Sequence, residues 1–296
     1  MSIDLGKVIT AMITPFNEKL EVDYVQAVKL AERLASEGTD TVLLAGTTGE
    51  SPTLTTEEKL QLFEKVTTAL KGKIPIMAGT GGNNTKASIE LSKEAEKLGV
   101  DCILLVVPYY NKPPQDALYA HYKAIANAVS LPIILYNVPS RTVTNLEPST
   151  VSKLSQIDNI IGIKEACGNM DQISSLKMLV PEDFKIYSGD DSLTLPMLSL
   201  GCHGVVSVAS NVIGREIQEM VTLFMEGRFQ EARELHYKLM PVFKAMFITT
   251  NPAPVKAAVN MTGLNAGSLR LPLLEVDPKQ KQLIYDELKA FRKVNI

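Results

Sequence analysis

Lys164 follows a short apolar run, which is a favourable setting for amine chemistry. Residues 160–163 read Ile-Ile-Gly-Ile with no polar alternation, and turn residues begin soon afterwards at Gly168. This pattern predicts a parallel strand that is buried on both faces, with Lys164 at its C-terminal end. Burial disfavours the ammonium, so part of Lys164 would be free amine near neutral pH, as imine formation with a ketone or aldehyde requires. The alternative is a lysine that packs its stem and extends its charge to water.

Three further runs end in side chains that could assist such an amine. The turn at 46–51, Gly-Thr-Thr-Gly-Glu-Ser, has backbone N–H groups that could cradle an anion. Tyr136 ends another run, where its hydroxyl could pass protons, and Arg141 follows it with a bidentate fork suited to a carboxylate. The proline-rich loop at 108–114 displays Tyr110 beside a second tyrosine. Each of these features by itself also has a purely structural interpretation: an ordinary turn, a tyrosine in the core or an arginine exposed to solvent.

Eight apolar runs alternate with segments of helical periodicity, and this alternation is typical of a parallel sheet. Eight such units without a change of pattern favour a closed (β/α)8 TIM barrel of the α/β class, with an open doubly wound sheet as the alternative. In such a barrel the functional side chains lie at the C-terminal ends of the strands, so the residues named above would converge on one face. The predicted strands are Val8–Ile13, Thr41–Ala45, Ile74–Ala78, Asp101–Val107, Pro132–Tyr136, Ile160–Lys164, Phe184–Ser188 and Val205–Val208.

From residue 216 onward the periodicity is helical, with breaks at Gly227 and at the two prolines of Asn251-Pro252 and Leu271-Pro272. We therefore predict a barrel domain over residues 1–214 and a C-terminal helical appendage over residues 215–296. The predicted helices of this appendage are Glu216–Phe224, Phe229–Phe247, Pro254–Asn260 and Pro278–Lys293.

The composition narrows the function classes. The chain has 296 residues, of which 45% are hydrophobic and 21% charged, and a formal net charge of -3. This charge balance gives no excess of basic residues for binding nucleic acid, and no apolar run is long enough to span a membrane. The N-terminal residues lack a signal-peptide core, so the expected location is the cytoplasm. Cysteines and histidines show neither disulfide nor metal-ligand spacing, and neither a metal nor a cofactor is expected.

Five motifs are considered together: Gly-Thr-Thr-Gly-Glu-Ser at 46–51, Pro-Tyr-Tyr-Asn at 108–111, Tyr-Asn-Val-Pro-Ser-Arg-Thr at 136–142, Gly-Ile-Lys-Glu-Ala at 162–166 and Ser-Gly-Asp-Asp at 188–191. With these motifs the sequence resembles the dihydrodipicolinate synthase family of pyruvate-dependent class I aldolases. The resemblance runs from Ile9 to the C-terminal helices. The first and fourth motifs are shared with sister aldolases such as N-acetylneuraminate lyase, whereas Arg141 in the third is the specific feature.

The resemblance implies that pyruvate condenses with L-aspartate 4-semialdehyde through a Schiff base on Lys164. The product would be 4-hydroxy-tetrahydrodipicolinate, formed in the first committed step of lysine and diaminopimelate biosynthesis. The implied catalytic residues are Lys164 and three proton-moving residues, Tyr136, Thr47 and Tyr110. The implied substrate-binding residues are Thr48 for the pyruvate carboxylate, Arg141 for the semialdehyde carboxylate, and Gly189 and Val206 for the pyruvate end.

The resemblance also implies an oligomer. Tyr110 would reach the neighbouring subunit's site, so activity would require at least a dimer, and the usual family state is a homotetramer built as a dimer of dimers. Lysine-inhibited members carry histidines and a glutamate at the dimer interface, whereas this chain has Lys59 and Ala87 in the corresponding stretches. A cationic Lys59 would repel lysine and Ala87 cannot pair with its amine, so we expect weak or absent inhibition.

Two other functions stay open at this point. A sister aldolase acting on another aldehyde, such as a sugar aldehyde, would keep Lys164 and Tyr136, although Arg141 suits an anionic partner better than a neutral polyhydroxylated one. A non-catalytic carboxylate sensor could use the same fold, although a sensor has no need of an imine-forming amine.

Overall fold

Eight parallel strands close into a single barrel in the computed structural model, which describes residues 3–291. Each strand pairs with the next along the chain, and β8 returns to pair with β1. The predicted (β/α)8 barrel is confirmed, and the open sheet is excluded. The strands are β1 Val8–Ala11, β2 Thr41–Leu44, β3 Ile76–Gly79, β4 Cys102–Val106, β5 Ile133–Asn137, β6 Ile160–Glu165, β7 Lys185–Ser188 and β8 Gly204–Ser207.

All eight predicted strands are present, with ends that shift by one or a few residues. The third strand begins at Ile76 instead of Ile74, since Pro75 between them has no N–H to donate to a ladder. The first strand ends at Ala11 instead of Ile13, because the Ile13 N–H donates to the side chain of Asn211. The strand ends therefore depend on which backbone N–H groups can join the sheet. The apolar runs alone predict strands that are too long.

Alternate side chains of the strands fill two separate cores, which explains why the runs show no polar alternation. One core lies inside the barrel, and the other lies between the strands and the surrounding helices. Gly162 lets β6 approach β7, because a Cβ there would lie 2.4 Å from the Lys185 carbonyl oxygen. The barrel interior includes Ile9, Leu43, Met77, Cys102, Leu104, Ile134, Tyr136, Tyr187 and Val206.

Within residues 3–291 there are twelve α-helices, several with strong N-terminal caps. Thr55 and Glu58 form a reciprocal capping box at the start of α2, and Asp277 with Gln280 does the same for α12. The helices are α1 Tyr24–Ser36, α2 Thr56–Leu70, α3 Thr85–Lys97, α4 Gln115–Ala126, α5 Pro139–Thr142, α6 Pro148–Leu154, α7 Met170–Leu179, α8 Thr194–Ser199, α9 Ser210–Met225, α10 Phe229–Ala245, α11 Ala253–Met261 and α12 Pro278–Ala290.

The four predicted C-terminal helices correspond to α9–α12. Helix α9 begins at Ser210, six residues before the predicted start, and contains one non-helical residue, Ile213. Helix α12 ends at Ala290, whereas its predicted end at Lys293 lies outside the described residues. The predicted domain boundary between residues 214 and 215 falls inside α9, and the division stays a prediction.

Candidate active site

Lys164 lies near the C-terminal end of β6, and its side chain is only 4% exposed. Burial lowers the pKa of Lys164 to about 8; the carboxylate of Asp191 opposes this shift and the charge of Arg141 adds to it. At this pKa roughly a tenth of the amine is unprotonated at pH 7. The buried position expected from the sequence is confirmed, and the lysine that extends its charge to water is excluded.

Tyr136 lies beside Lys164 on the neighbouring strand, in direct register with it. The Lys164 Nζ lies 4.3 Å from the centroid of the Tyr136 ring, a cation–π distance. Burial raises the pKa of Tyr136, while the charge of Arg141 and a hydrogen bond with Thr47 act in the opposite direction. The phenol therefore stays protonated near neutral pH and can give or receive a proton beside the amine.

The turn after β2 carries Thr47 and Thr48 in different environments. The hydroxyl of Thr48 is buried and accepts a hydrogen bond of 3.1 Å from Asn251 Nδ2. Thr47 instead lines a cavity that opens at the C-terminal ends of the strands. The two adjacent threonines therefore differ in their contacts, one being held by Asn251 and the other facing the cavity.

The cavity beside Thr47 has a volume of about 470 Å³, which suits a small-molecule ligand. Tyr136 and Arg141 form part of its wall, and Lys59 and Ala87 also line it. Arg141 belongs to the short helix α5, which begins at Pro139 directly after the β5 strand. Three predicted site residues therefore share one cavity: Thr47 in the turn after β2, Tyr136 on β5 and Arg141 on α5.

A buried polar network holds the segment that carries Arg141. Asn137, the last residue of β5, donates to Glu165 Oε1 at 3.0 Å and accepts from the Leu146 N–H at 2.9 Å. Because Glu165 follows Lys164 on β6, this network connects the strand of the amine to the loop after α5. The strand-end asparagine had no predicted role.

Gly189 and Val206 lie on the side of the barrel formed by the last two strands. A Cβ at Gly189 would lie 3.2 Å from Lys164 Cε and 2.7 Å from Ala166 Cβ, so glycine leaves room next to the amine. Val206 is fully buried in the barrel interior with Tyr136. Neither residue, nor Thr48, nor Lys164 itself belongs to the wall of the 470 Å³ cavity.

Tyr110 does not join the other predicted site residues within this chain. Its side chain is 86% exposed, and its backbone has a positive φ of 78°, a strained conformation for a tyrosine. Lys112 in the same loop also has a positive φ. The loop therefore leaves the ring of Tyr110 exposed, away from the body of the chain.

Three further residues support the site, and the sequence patterns assigned no role to them. Asp191 is buried, and its carboxylate acts to raise the pKa of Lys164, against the effect of burial. Asn251 holds Thr48, and Glu50 forms a buried ion pair of 2.6 Å with Lys256. Asp191 and Glu50 lie inside two of the motifs quoted above, but their partners come from distant parts of the chain.

A lysine with a lowered pKa, next to a protonated tyrosine at the open end of a parallel barrel, is the arrangement of a Schiff-base-forming lyase. The chain belongs to the dihydrodipicolinate synthetase family, whose model matches residues 4–291.

Among residues 3–291 no group of three or more histidine, cysteine, aspartate or glutamate side chains could hold a metal ion. The same part of the chain has no helix of the length and apolarity that a membrane crossing needs.

Individual relatives agree with the family model. The 4-hydroxy-tetrahydrodipicolinate synthase of Heliobacterium modesticaldum is 54% identical over 278 residues, which cover 94% of this chain and 93% of that protein. The crystal structure of the dihydrodipicolinate synthase from Cyanidioschyzon merolae with lysine bound has a TM-score of 0.96 at 46% identity, covering 98% of this chain and 99% of that one. A monomeric dihydrodipicolinate synthase variant has a TM-score of 0.94 at 40% identity, covering 96% of both chains.

Proposed function

We propose that this protein is a Schiff-base lyase that condenses pyruvate with L-aspartate 4-semialdehyde to give 4-hydroxy-tetrahydrodipicolinate. The reaction would serve lysine and diaminopimelate biosynthesis. The observation that carries the proposal is the buried amine of Lys164, with a pKa near 8, beside Tyr136. Membership of the dihydrodipicolinate synthetase family supports the choice of substrates.

The chemistry begins with the free amine of Lys164. Its Nζ attacks C2 of pyruvate, and the carbinolamine loses its oxygen as water to leave an iminium ion. Loss of a C3 proton gives an enamine, which forms the new carbon–carbon bond to the aldehyde carbon of the semialdehyde. The α-amine of the semialdehyde then attacks C2, closes the ring and releases Lys164 as the free amine. Each turnover therefore releases one water and regenerates the lysine.

The other site residues have roles in binding and in proton transfer. Tyr136 moves protons during imine formation and release, with Thr47 as its hydrogen-bonded partner, as the short distance from the ring to Lys164 supports. Thr48 binds the pyruvate carboxylate, and Gly189 and Val206 shape the pyruvate end of the pocket. Arg141 binds the carboxylate of the semialdehyde from the cavity wall.

The same proposal includes a homotetramer, built as a dimer of dimers. Tyr110 completes the proton relay in the neighbouring subunit's site, which explains why its strained backbone presents an exposed ring. A dimer is then the smallest active unit. A cytoplasmic location belongs to the proposal too, because Cys102, Cys167 and Cys202 are free thiols, as is usual for a reducing compartment.

Trapping with borohydride tests the Schiff base directly. Pyruvate and borohydride should leave a stable adduct on the peptide that contains Lys164, detected by mass spectrometry. The Lys164→Ala variant should show no adduct, whereas Lys86→Ala, which removes an exposed lysine, should react as the wild type does. An unmodified Lys164 peptide in the wild type would overturn the proposed mechanism.

Turnover with aspartate 4-semialdehyde, followed through a coupled reductase that consumes the cyclic product, tests the second substrate. Robust turnover that is absent with neutral sugar aldehydes is expected. If the adduct forms on Lys164 but only sugar aldehydes react, the protein is a sister aldolase and the role proposed for Arg141 is wrong. The Arg141→Ala variant should lose mainly the semialdehyde step and keep most of its imine formation, because burial, the main cause of the lowered pKa of Lys164, is unchanged.

A further inference from the structure

Arg141 lies in the cavity wall without a side-chain partner of its own. Within residues 3–291 its guanidinium makes no hydrogen bond and no ion pair. Its place in the wall therefore depends on the backbone of α5 and of the residues that follow. That backbone has a strained point directly after α5, because Val143 has a positive φ of 58°, which is rare for a β-branched residue. A strained segment keeps its conformation where its surroundings hold it.

The segment at 138–146, which carries Arg141, is closed at both ends by one side chain of β5. Asn137 Oδ1 accepts from the Leu146 N–H at 2.9 Å, and Asn137 Nδ2 donates to Asn145 Oδ1 at 2.8 Å. The Asn137 side chain is completely buried, so water does not compete for these hydrogen bonds. The segment is therefore a closed loop whose far end is fixed at Asn145 and Leu146.

Two glutamines hold the far end of this loop from outside the cavity. Gln172 on α7 forms a reciprocal amide pair with Asn145, through its Nε2 at 3.1 Å and its Oε1 at 2.9 Å. Gln115, the first residue of α4, donates to the Asn145 carbonyl at 2.8 Å. Its Oε1 accepts from the Glu147 N–H at 3.2 Å and from Thr150 Oγ1 at 2.7 Å. Polar networks with this many partners make a segment rigid.

We propose that Gln172 and Gln115 are positioning residues for the second substrate, because they hold the loop that places Arg141 in the cavity wall. This inference rests on the proposed function, in which Arg141 binds the carboxylate of the semialdehyde. A guanidinium binds a carboxylate through two parallel hydrogen bonds, so a small displacement weakens the contact. Lys164 does not depend on this loop, since its strand is held between β5 and β7. The two glutamines therefore serve binding of the semialdehyde and not formation of the imine.

The Gln172→Met variant removes the amide pair and keeps the length of the side chain. Gln282→Met is the matched control, since Gln282 is an exposed glutamine on α12 whose amide donates to Asp286 at 2.9 Å. For each protein, KM and kcat for the semialdehyde are measured in the coupled assay, and the rate of adduct formation with pyruvate is measured by borohydride trapping.

We expect KM for the semialdehyde to rise about tenfold in Gln172→Met, while kcat and the rate of adduct formation stay within about twofold of the wild type. Gln282→Met should match the wild type in all three quantities. An unchanged KM in a folded Gln172→Met variant would overturn the inference. An equal loss of adduct formation and semialdehyde binding would overturn it too, because the network would then serve the site as a whole.

A double-mutant cycle with Arg141→Ala separates positioning from a merely structural role. If Gln172 acts through Arg141, Gln172→Met should lower kcat/KM for the semialdehyde about tenfold in the wild type and hardly at all in Arg141→Ala. A loss of the same factor in both backgrounds would show that Gln172 acts independently of the guanidinium, and would overturn the inference.

The Gln115→Met variant covers the case in which Gln172→Met does not fold, because Gln115 holds the same loop from the opposite helix. It should give the same rise in KM and the same coupling to Arg141→Ala. Loss of folding in both variants would mean that the network serves stability, and would overturn the inference. A wild type that forms the adduct but does not turn over the semialdehyde would instead overturn the proposed function, so the two failures are distinguishable.

Discussion

Replacing Lys164 by methionine should stabilise the folded protein while it abolishes the Schiff base. The pKa of Lys164 falls from 10.5 to about 8 on folding, which corresponds to about 3 kcal/mol of free energy lost by burying the ammonium. Methionine has a similar length, is unbranched and carries no charge, so it fills the same space without this penalty. At pH 7 the free energy of unfolding of Lys164→Met should therefore exceed that of the wild type by about 3 kcal/mol.

The pH dependence of this difference follows from the two pKa values. Below pH 8 the amine is charged in both the folded and the unfolded state, and the full penalty is present. Between pH 8 and 10.5 the folded protein releases the proton while the unfolded chain keeps it, so the stability of the wild type rises with pH. The advantage of Lys164→Met should shrink below about 1 kcal/mol at pH 10 and vanish at higher pH.

Urea unfolding of both proteins at pH 7 and pH 10 measures the difference. A single protein concentration is used, so that the proposed assembly would contribute equally to both proteins. Lys86→Met serves as the control, since the Lys86 side chain is 85% exposed and its removal should leave stability nearly unchanged at both pH values. Equal stability of Lys164→Met and wild type at pH 7 would refute the argument that burial of the ammonium is unfavourable. A difference that persists at pH 10 would attribute the gain to packing instead of charge.

Other perturbations test separate parts of the structure. Gly189→Ala should reduce imine formation at least tenfold in the trapping assay, because the added Cβ would lie 2.7 Å from Ala166 Cβ, next to the Lys164 side chain. Unaltered trapping would mean that the pocket has room for the extra methyl group. Glu50→Gln should lower the free energy of unfolding, measured in urea, by about 3 kcal/mol, since it leaves the buried Lys256 ammonium without its carboxylate partner. Glu94→Gln, the control in an exposed ion pair, should change the free energy of unfolding by less than about 1 kcal/mol. Millimolar lysine should leave turnover nearly unchanged, because Lys59 brings a positive charge to the cavity; inhibition at sub-millimolar lysine would contradict this.

Local sequence patterns were sufficient to predict the barrel and the strand-end positions of Lys164 and Tyr136. The apolar runs specify strands buried on both faces, and the barrel topology then brings the ends of β5 and β6 together, so that Tyr136 lies beside Lys164. The start of α9 was placed too late because small and polar residues near Asn211 resemble a turn. In the structure Asn211 is fully buried, and its side chain donates to the Ala11 carbonyl on β1. Tertiary bonding therefore outweighed local propensity there.

The supporting residues could not be predicted from the sequence, because each depends on a partner far along the chain. Asn251 meets Thr48 across 203 positions, and Lys256 meets Glu50 across 206. No local pattern indicates which polar residue, some two hundred positions away, will bind a given turn. The carboxylate of Asp191 likewise accepts from two N–H groups that directly follow another strand, β8.

These distant contacts also change the interpretation of the C-terminal helices. Two non-glycine residues flank the Thr47–Thr48 turn with positive φ values, Ala45 at 49° and Glu50 at 55°. Such values are unfavourable for non-glycine residues, so the turn needs other contacts to keep its conformation. The turn keeps this conformation because Asn251 holds the Thr48 hydroxyl and Lys256 from α11 pairs with Glu50. The C-terminal residues are therefore structural parts of the proposed active site, and a barrel without them would lose the contacts that hold the turn open to the substrate.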